Sequence, residues 1–196
     1  MRKAQASSAR GEDPDRDIVG LINAGNPTAA LRDLMNRHGT AVHRYCRGTL
    51  RDEALADDVQ QQIFIQAHRD LARFAGRSTL RTWLFAIARH RVLDAAKARR
   101  RALIHIEQCD NADAPDPNPT PDERIDDARL QEALVACFGE LDEQLRTAVL
   151  LRYQQGLTFE DMAEVCREKP GTLQARVTRA LGKLRTCIEA RTRGRI

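Results

Sequence analysis

Apolar residues recur along most of this chain every three or four positions, which is the spacing of one face of an α-helix. Between Ala54 and Phe74 this face consists of Leu55, Val59, Ile63, Phe64, Ala67 and Leu71. A second helix is predicted from Thr79 to about Arg101, with Ser78 as its N-terminal cap and with an apolar face made of Leu80, Trp83, Leu84, Ile87, Ala88 and Val92. Long Ala-, Arg- and Leu-rich stretches also favour helix. The pattern predicts an all-α protein.

The C-terminal part of the chain predicts four more helices, near 127–138, 142–155, 158–166 and 170–189. Gly139 and Gly156 stand where helices are expected to stop. Thr158 and Asp161 have the spacing of an N-terminal capping box, and Pro170 suits a first helical position. The last two helices have the layout of a helix-turn-helix, with a core of Met162, Ala163, Val165, Leu173, Val177, Ala180 and Leu184.

Between these helical parts lies a stretch rich in proline and acidic residues, which contains four of the seven prolines of the chain. Proline breaks helices, and the stretch has too little apolar surface to fold. We therefore expect a disordered tail at 1–16, one helical domain at 17–101, a flexible acidic linker at 102–128 and a second helical domain at 129–191. Fully extended, this linker would reach about 90 Å, well beyond the roughly 34 Å of one DNA turn.

Charge is distributed unevenly although the net charge is only +4. Ten basic residues lie between Arg69 and Arg101, against Asp70 and Asp94 alone. A second basic block runs from Arg167 to Arg195, and between the two blocks the segment from Glu107 to Asp127 is acidic. Two basic regions with an acidic spacer indicate two contacts with one polyanion.

The helix-turn-helix has the polar face that reading DNA requires. Gln174, Arg176, Thr178 and Arg179 lie off its apolar stripe, and amide and guanidinium groups are suited to base edges and phosphates. The same pattern would also fit an ordinary amphipathic hairpin with a solvated basic face. In the first basic block we expect Trp83 to be buried, since Trp at helical spacing is usually in the core, so that arginines make the DNA contacts.

Cysteines and histidines give no sign of a metal site or a disulfide framework. The five cysteines are odd in number and form no CxxC pair, which favours reduced thiols in a cytoplasmic protein. His38, His43 and Cys46, and separately His105 and Cys109, are too few for structural zinc, and we expect both His38 and His43 on a helix surface or edge. We expect no metal and no cofactor.

Other classes of protein are also disfavoured by the sequence. The polar start lacks the apolar segment of a signal peptide, and no stretch is long and apolar enough to insert into a membrane. No phosphate-binding loop or hydrolase motif occurs. Asp57 and Asp58 are adjacent and point in different directions on a helix, so they make a poor acid–base pair. We do not expect an enzyme.

Two stretches resemble one family, in that family's order. ADDVQQQIFIQAHRDLARFAGRSTLRTWLFAIARHRVLDAAKARRR resembles region 2 of an extracytoplasmic-function (group IV) sigma factor of the sigma-70 family, and GELDEQLRTAVLLRYQQGLTFEDMAEVCREKPGTLQARVTRALGKLR resembles its region 4. The resemblance implies a cytoplasmic bacterial transcription factor that directs core RNA polymerase to promoter DNA, in a stress or envelope response. It also implies a separate anti-sigma partner.

The resemblance also assigns residues. It implies that Asp58, Gln61 and their polar neighbours Asp57 and Gln62 bind the coiled-coil clamp helices of the largest polymerase subunit. It implies that the basic helix opens and reads the minus-ten element, through Arg77, Arg81, Arg89, His90, Arg91, Lys97, Arg99 and Arg100. It implies that the helix beginning at Pro170 reads the minus-thirty-five element, through Thr172, Gln174, Arg176, Thr178, Arg179 and Lys183.

The chain departs from the family pattern at four positions. Gln62 stands where an acid is usual, and His90 stands where Asn is frequent. In the helix-turn-helix, Arg167 and Glu168 replace a Gly and an apolar residue, so we expect an altered turn there. The alternative function is a stand-alone helix-turn-helix regulator, whose dimer would favour palindromic half-sites about one DNA turn apart. An RNA-binding helical protein is disfavoured, because no aromatic single-strand platform occurs.

Overall fold

A computed structural model describes residues 14–107 and 125–193, and every regular element in these ranges is helical. The helices are α1 (Arg16–Asn23), α2 (Pro27–Leu50), α3 (Glu53–Leu71), α4 (Leu80–Glu107), α5 (Ile125–Glu140), α6 (Glu143–Val149), α7 (Phe159–Cys166) and α8 (Pro170–Arg193). A π-helical turn, Leu150–Gln154, continues α6. The all-α prediction is confirmed for the described residues.

Helices α1 to α4 form the N-terminal region around an apolar core. The Asn26 side chain accepts a hydrogen bond from the Ala29 amide at the start of α2, and Asp52 does the same for Leu55 at the start of α3. The largest fully buried side chains of this core are Ile18, Leu34, Val42, Tyr45, Ile63, Leu71, Leu80, Leu84 and Phe85. The aromatic rings of Tyr45 and Phe85 meet edge to face, with centroids 5.8 Å apart.

Two predictions about the N-terminus are wrong. The predicted tail extended to residue 16, but Asp15 is fully buried and Arg16 begins α1; residues 1–13 lie outside the described residues. His38, expected at a helix surface or edge, is also buried, with its Nε2 atom 2.9 Å from Asp15 Oδ1. Arg37 donates to the same carboxylate at 3.1 Å. These partners offset the cost of burying the Asp15 charge, so α1 is held against α2.

The bounds of α4 also differ from the prediction. The hydroxyl of Thr79, and not of Ser78, accepts the capping hydrogen bond from the Thr82 amide, so the helix begins one residue later than expected. It continues past Arg101 to Glu107, because only helix-forming residues follow and nothing there stops a helix. The proline-rich part of the predicted linker lies outside the described residues.

Helices α5 to α8 form the C-terminal region. The capping box of Thr158 and Asp161 is confirmed, and α8 begins at Pro170 as predicted. Gly156 has φ of 64°, which suits its predicted role after the π-helical turn. Gly139 is not a helix stop, since it lies inside α5. A Cβ at this position would lie only 2.0 Å from Arg51 Nη1, so Gly139 allows that side chain to approach.

One pair of cysteines contradicts the expectation of reduced thiols. Cys137 of α5 and Cys187 of α8 form a disulfide, with Cα atoms 5.8 Å apart. The two residues are 50 positions apart in sequence, and they meet because α5 packs along α8. No local spacing motif reveals such a pair. Cys46 and Cys166 are free and buried, and Cys109 lies outside the described residues.

The two regions pack against each other in this structure. Helix α4 lies against α7, and the end of α2 lies against the π-helical turn. A Cβ built at Gly48 of α2 would lie 3.0 Å from Leu150 Cδ1, so the two elements approach closely there. Arg146 donates one hydrogen bond to Thr49 O, in the last turn of α2, and two more to Gly139 O and Leu141 O at the end of α5. One guanidinium thus satisfies terminal carbonyls of two helices, one from each region.

Candidate polymerase and promoter surfaces

The four residues predicted to bind polymerase, Asp57, Asp58, Gln61 and Gln62, are all exposed on one face of α3. This face is opposite the stripe that Val59 and Ile63 bury in the core. His43 of α2 places Nε2 2.8 Å from Asp57 Oδ1, which holds that carboxylate at the edge of the face. The structure therefore brings the four predicted side chains together on one accessible surface.

An apolar part of this surface was missed by sequence reasoning. The side chain of Ile65, one and two turns beyond Gln61 and Asp58, remains 52% exposed. Met35 of α2 is 45% exposed, and the antiparallel contacts His43–Asp57 and Gln60–Gly39 place it at the level of Ile65. Exposed apolar side chains rimmed by polar ones are typical of protein-binding surfaces. The exposure of Ile65 could have been predicted, because this residue falls outside the apolar stripe of α3.

A second set of exposed apolar residues lies on α5 and was not predicted. Leu130, Leu134 and Val135 are 48%, 44% and 60% exposed. Their i, i+4, i+5 spacing places them on one side of the helix. Exposed apolar side chains grouped on one side of a helix are typical of protein-binding surfaces.

The basic residues of α4 and the loop before it fall into two groups. Arg77, His90, Lys97 and Arg100 are exposed, and His90 Nδ1 lies 3.1 Å from Asp94. The others bond within the protein: Arg91 donates to Gln66 Oε1 at 2.7 Å, and Arg99, although also exposed, donates to Leu50 O at 3.0 Å. Trp83 packs against the core as expected, edge to face with Phe74 at 5.6 Å, although part of it stays accessible.

The outer face of α8 is accessible over its first four turns. Leu173, Val177, Ala180 and Leu184 are buried, so the helix turns the opposite side outward. This side carries five of the six residues predicted to read the minus-thirty-five element: Thr172, Gln174, Thr178, Arg179 and Lys183. Small residues at Gly171 and Ala175 on the same side leave room for close approach of a partner.

The sixth residue, Arg176, lies elsewhere. It is three residues after Leu173 and four before Ala180, so it flanks the buried stripe, and its side chain is only 17% exposed. Its two terminal nitrogens donate to the two carboxylate oxygens of Glu168 at 2.9 and 2.7 Å. These hydrogen bonds lower the pKa of Glu168 and keep its carboxylate ionised.

The turn between α7 and α8 differs in chemistry from the family pattern but keeps its backbone geometry. Arg167 adopts φ of 55°, the left-handed conformation that a glycine would supply. Glu168 N donates to Ala163 O at 3.2 Å and closes the end of α7. The expected alteration is therefore in the side chains, since an ion pair replaces an apolar anchor.

Helix α4 also contacts the C-terminal region through residues predicted to bind DNA. Arg89 Nη2 lies 3.7 Å from Glu168 Oε1, and Arg81 donates to Gln155 O. Thr82 Oγ1 lies 3.4 Å from Asp161 Oδ1. Arg81, Arg89 and Arg176 are thus engaged inside the protein in this structure.

Neither a metal centre nor a membrane span is found in the described parts of the chain. No group of three or more potential ligands gathers among residues 14–107 and 125–193. The helices described here do not combine the length and the apolar character that crossing a bilayer requires.

Family comparisons assign both regions. Residues 34–102 match the family model for Sigma-70 region 2, and residues 131–184 match the one for Sigma-70, region 4. The chain belongs to the sigma-70 family, as an extracytoplasmic-function sigma factor. It acts as an RNA polymerase sigma factor in promoter recognition and transcription initiation. The alternative of a stand-alone regulator is not supported.

Named relatives cover most of the chain. The sigma factor is 36% identical over 169 residues to the ECF RNA polymerase sigma factor SigC of Mycobacterium tuberculosis, covering 78% of this chain and 86% of SigC. It is 29% identical over 186 residues to the RNA polymerase sigma factor CnrH of Cupriavidus metallidurans, covering 91% and 96%.

Two solved structures share the fold. CnrH in complex with the cytosolic domain of CnrY aligns with a TM-score of 0.66 and 24% identity, over 90% of this chain and 97% of that one. The sigma factor RpoE in complex with the anti-sigma factor NepR, from Bartonella quintana, aligns with a TM-score of 0.64 and 22% identity, over 81% and 96%.

Proposed function

We propose that this sigma factor binds the clamp helices of core polymerase through the exposed face of α3. The observation that carries the proposal is the clustering of Asp57, Asp58, Gln61 and Gln62 beside the exposed Ile65. The polar groups give the contact its orientation, and Ile65 and Met35 add apolar area that water leaves on binding.

Within this proposal the DNA contacts are divided between the two regions. Exposed cations of α4 release counterions from phosphates and hold melted DNA, while extruding a base costs a few kcal/mol. On α8, Gln174 and Arg179 are suited to base edges, and Lys183 to a phosphate. Polymerase provides the shared scaffold, so the second DNA contact becomes effectively intramolecular.

A separate anti-sigma factor completes the proposed function. The structures of CnrH with the cytosolic domain of CnrY and of RpoE with NepR show related folds bound to such partners. We expect the chain to act in the cytoplasm, where polymerase and promoters lie. We expect its anti-sigma factor to dissociate from it in an envelope or stress response.

The test is run-off transcription on genomic fragments with core polymerase, with and without the sigma factor. We expect new start sites that are lost with the double variant Asp58→Ala, Gln61→Ala, because the clamp contact is removed. A matched control changes Asn23 and Thr28 to Ala, since both are exposed polar residues of the α1–α2 hairpin that take no part in the proposal. Start sites that survive the α3 variant would rule out the clamp face.

A further inference from the structure

The two helices of the helix-turn-helix are linked through one residue of the turn between them, Glu168. Its backbone closes α7, since the amide donates to Ala163 O at 3.2 Å. Its carboxylate binds α8, since the two oxygens accept hydrogen bonds from the two terminal nitrogens of Arg176, at 2.9 and 2.7 Å. A bidentate pair of this kind fixes orientation as well as distance. Glu168 therefore sets how α8 is oriented against α7.

The pair of Glu168 and Arg176 is sheltered and charged. The side chain of Arg176 is 17% exposed and that of Glu168 is 27% exposed. The hydrogen bonds between them raise the pKa of Arg176 and lower the pKa of Glu168, so both groups are ionised at neutral pH. Arg89 of α4 approaches the same carboxylate only to 3.7 Å, which is beyond hydrogen-bonding distance. The hydrogen bonds that hold the pair thus lie within region 4.

The ion pair takes over the work of an apolar anchor in the turn. The three turn residues, Arg167, Glu168 and Lys169, offer no apolar side chain to the core. The first buried side chain of α8 is that of Leu173, a full turn into the helix. The bond from Glu168 to Arg176 is therefore the contact by which a turn side chain holds the start of α8 in place.

The same geometry places Arg176 badly for reading a base. An arginine reads guanine through a bidentate contact, and the two terminal nitrogens that suit such a contact here bind Glu168. Gln174 is exposed on the outer face of α8 and lies two positions before Arg176, which is about 200° around the helix. When α8 directs Gln174 toward a base, Arg176 therefore points away from it.

We propose that Glu168 and Arg176 are positioning residues for recognition of the minus-thirty-five element. The pair fixes α8 against α7 so that Gln174 and Arg179 reach base edges, and Arg176 itself contacts no base. Binding groups must be held to within about 0.5 Å of their productive geometry, so a loosened turn weakens every base contact of α8 together. The inference rests on the proposed function of α8 and changes the role of one residue that the family resemblance assigns to DNA.

The test is run-off transcription by the holoenzyme on a promoter library in which the minus-thirty-five element is randomised. The transcript yield and the base preference at each position are measured for every variant. Glu168→Leu and Arg176→Leu are each expected to lower the yield about threefold to tenfold, because one charge is left unpaired and the turn loosens. The preferred base at each position is expected to stay that of the wild type. Gln174→Ala, in contrast, is expected to lose the preference at one position.

A double variant, Glu168→Leu with Arg176→Leu, separates positioning from DNA contact. It replaces the ion pair by two apolar side chains that can pack together, and such replacements often preserve stability. We expect a yield within about twofold of the wild type, although both charges are gone. The matched control is Arg185→Ala, which removes another ion-paired arginine of α8, bonded to Glu189 at 2.9 Å, and should change neither yield nor preference. Circular dichroism confirms that each variant is folded.

Two results would overturn the positioning role while the proposed reading by α8 stands. One is a base preference that disappears at a single position in Arg176→Leu, as it does in Gln174→Ala, because Arg176 would then read that base. The other is a folded double variant that is no more active than Arg176→Leu. A wild-type holoenzyme with no base preference at the minus-thirty-five element would instead overturn the proposed function of α8, and the inference with it.

Discussion

At the scale of single residues, backbone strain and buried charge are concentrated at helix ends. Arg51 and Arg167 both adopt φ of 55° at the C-terminal caps of α2 and α7, although neither is a glycine. A left-handed conformation costs an ordinary residue roughly 1 kcal/mol. These two arginines therefore reduce the stability of the helix ends that they cap.

Arg167→Gly is expected to raise the free energy of unfolding by about 0.5–1 kcal/mol, because glycine adopts the left-handed conformation without steric strain. Urea denaturation followed by circular dichroism measures the change. Arg167→Ala, which removes the same side chain but keeps the strain, should leave stability nearly unchanged. A gain of the same size for Ala would show that the side chain, and not the backbone, is responsible.

Asp15 is expected to make stability depend on pH in the acid range. Burial raises the pKa of Asp15, but hydrogen bonds from His38 and Arg37 lower it more, so the net shift is downward from 3.8. A lowered native pKa gives stabilisation that is present above the unfolded value and lost as the pH falls through the native value. The contribution is therefore complete at pH 7, begins to decline near pH 4, and is lost as the pH falls through the lower native pKa.

Asp15→Asn tests this dependence. We expect a loss of about 1–3 kcal/mol in the free energy of unfolding at pH 7, and a shrinking difference from wild type as the pH falls through the acid range and Asp15 itself becomes protonated. Asp94→Asn, an exposed carboxylate paired with His90, is the control and should change little. A difference between Asp15→Asn and wild type that stays constant as the pH is lowered through the acid range would contradict the titration argument.

At the scale of helices, the apolar periodicity of the sequence predicted the features that depend on one helix alone. The buried stripes of α3 and α8 follow directly from the i, i+3, i+4 spacing of apolar residues. Features that depend on contact with a second helix could not be predicted from this periodicity. Gly139 resembles a helix stop but makes room for Arg51 of another helix, and Cys137 meets Cys187 only because α5 and α8 pack together.

The candidate site shows the same division. The exposed polar face of α3 and the outer face of α8 could be predicted from helical geometry and family resemblance. Arg176 was predicted to lie off the apolar stripe, and this was wrong, although its spacing from Leu173 and Ala180 places it beside the core. The bonds of Arg89 to Glu168 and of Arg81 to Gln155 could not be predicted, because they depend on how the two regions pack.

At the scale of the whole molecule, the closed arrangement bears on how the sigma factor meets DNA. Contacts such as Gln155 to Ala41 O at 3.2 Å span 114 positions and hold the regions together. We expect that α4 and α8 cannot reach their two proposed promoter elements at once while the regions are packed in this way. By separating the two regions, polymerase would let α4 and α8 reach both elements together.

We therefore expect the isolated sigma factor to bind promoter DNA weakly and the holoenzyme to bind it strongly with a steep salt dependence, because more phosphates are contacted. Anisotropy titrations of free chain and holoenzyme between about 50 and 200 mM salt give both slopes. Tight, sequence-specific binding by the free chain would contradict this division of labour.

The bond between Cys137 and Cys187 turns most of region 4 into a covalent ring. The ring contains α6, α7 and the first five turns of α8, and its ends are 50 positions apart. Closing a ring of this size removes conformational freedom from the unfolded chain and corresponds to about 4 kcal/mol. In a reducing cytoplasm the disulfide would be reduced, and the ring would no longer be closed. The stability of α8, the helix proposed to read the minus-thirty-five element, would then depend on the thiol balance of the cell, even where no base or phosphate contact changes.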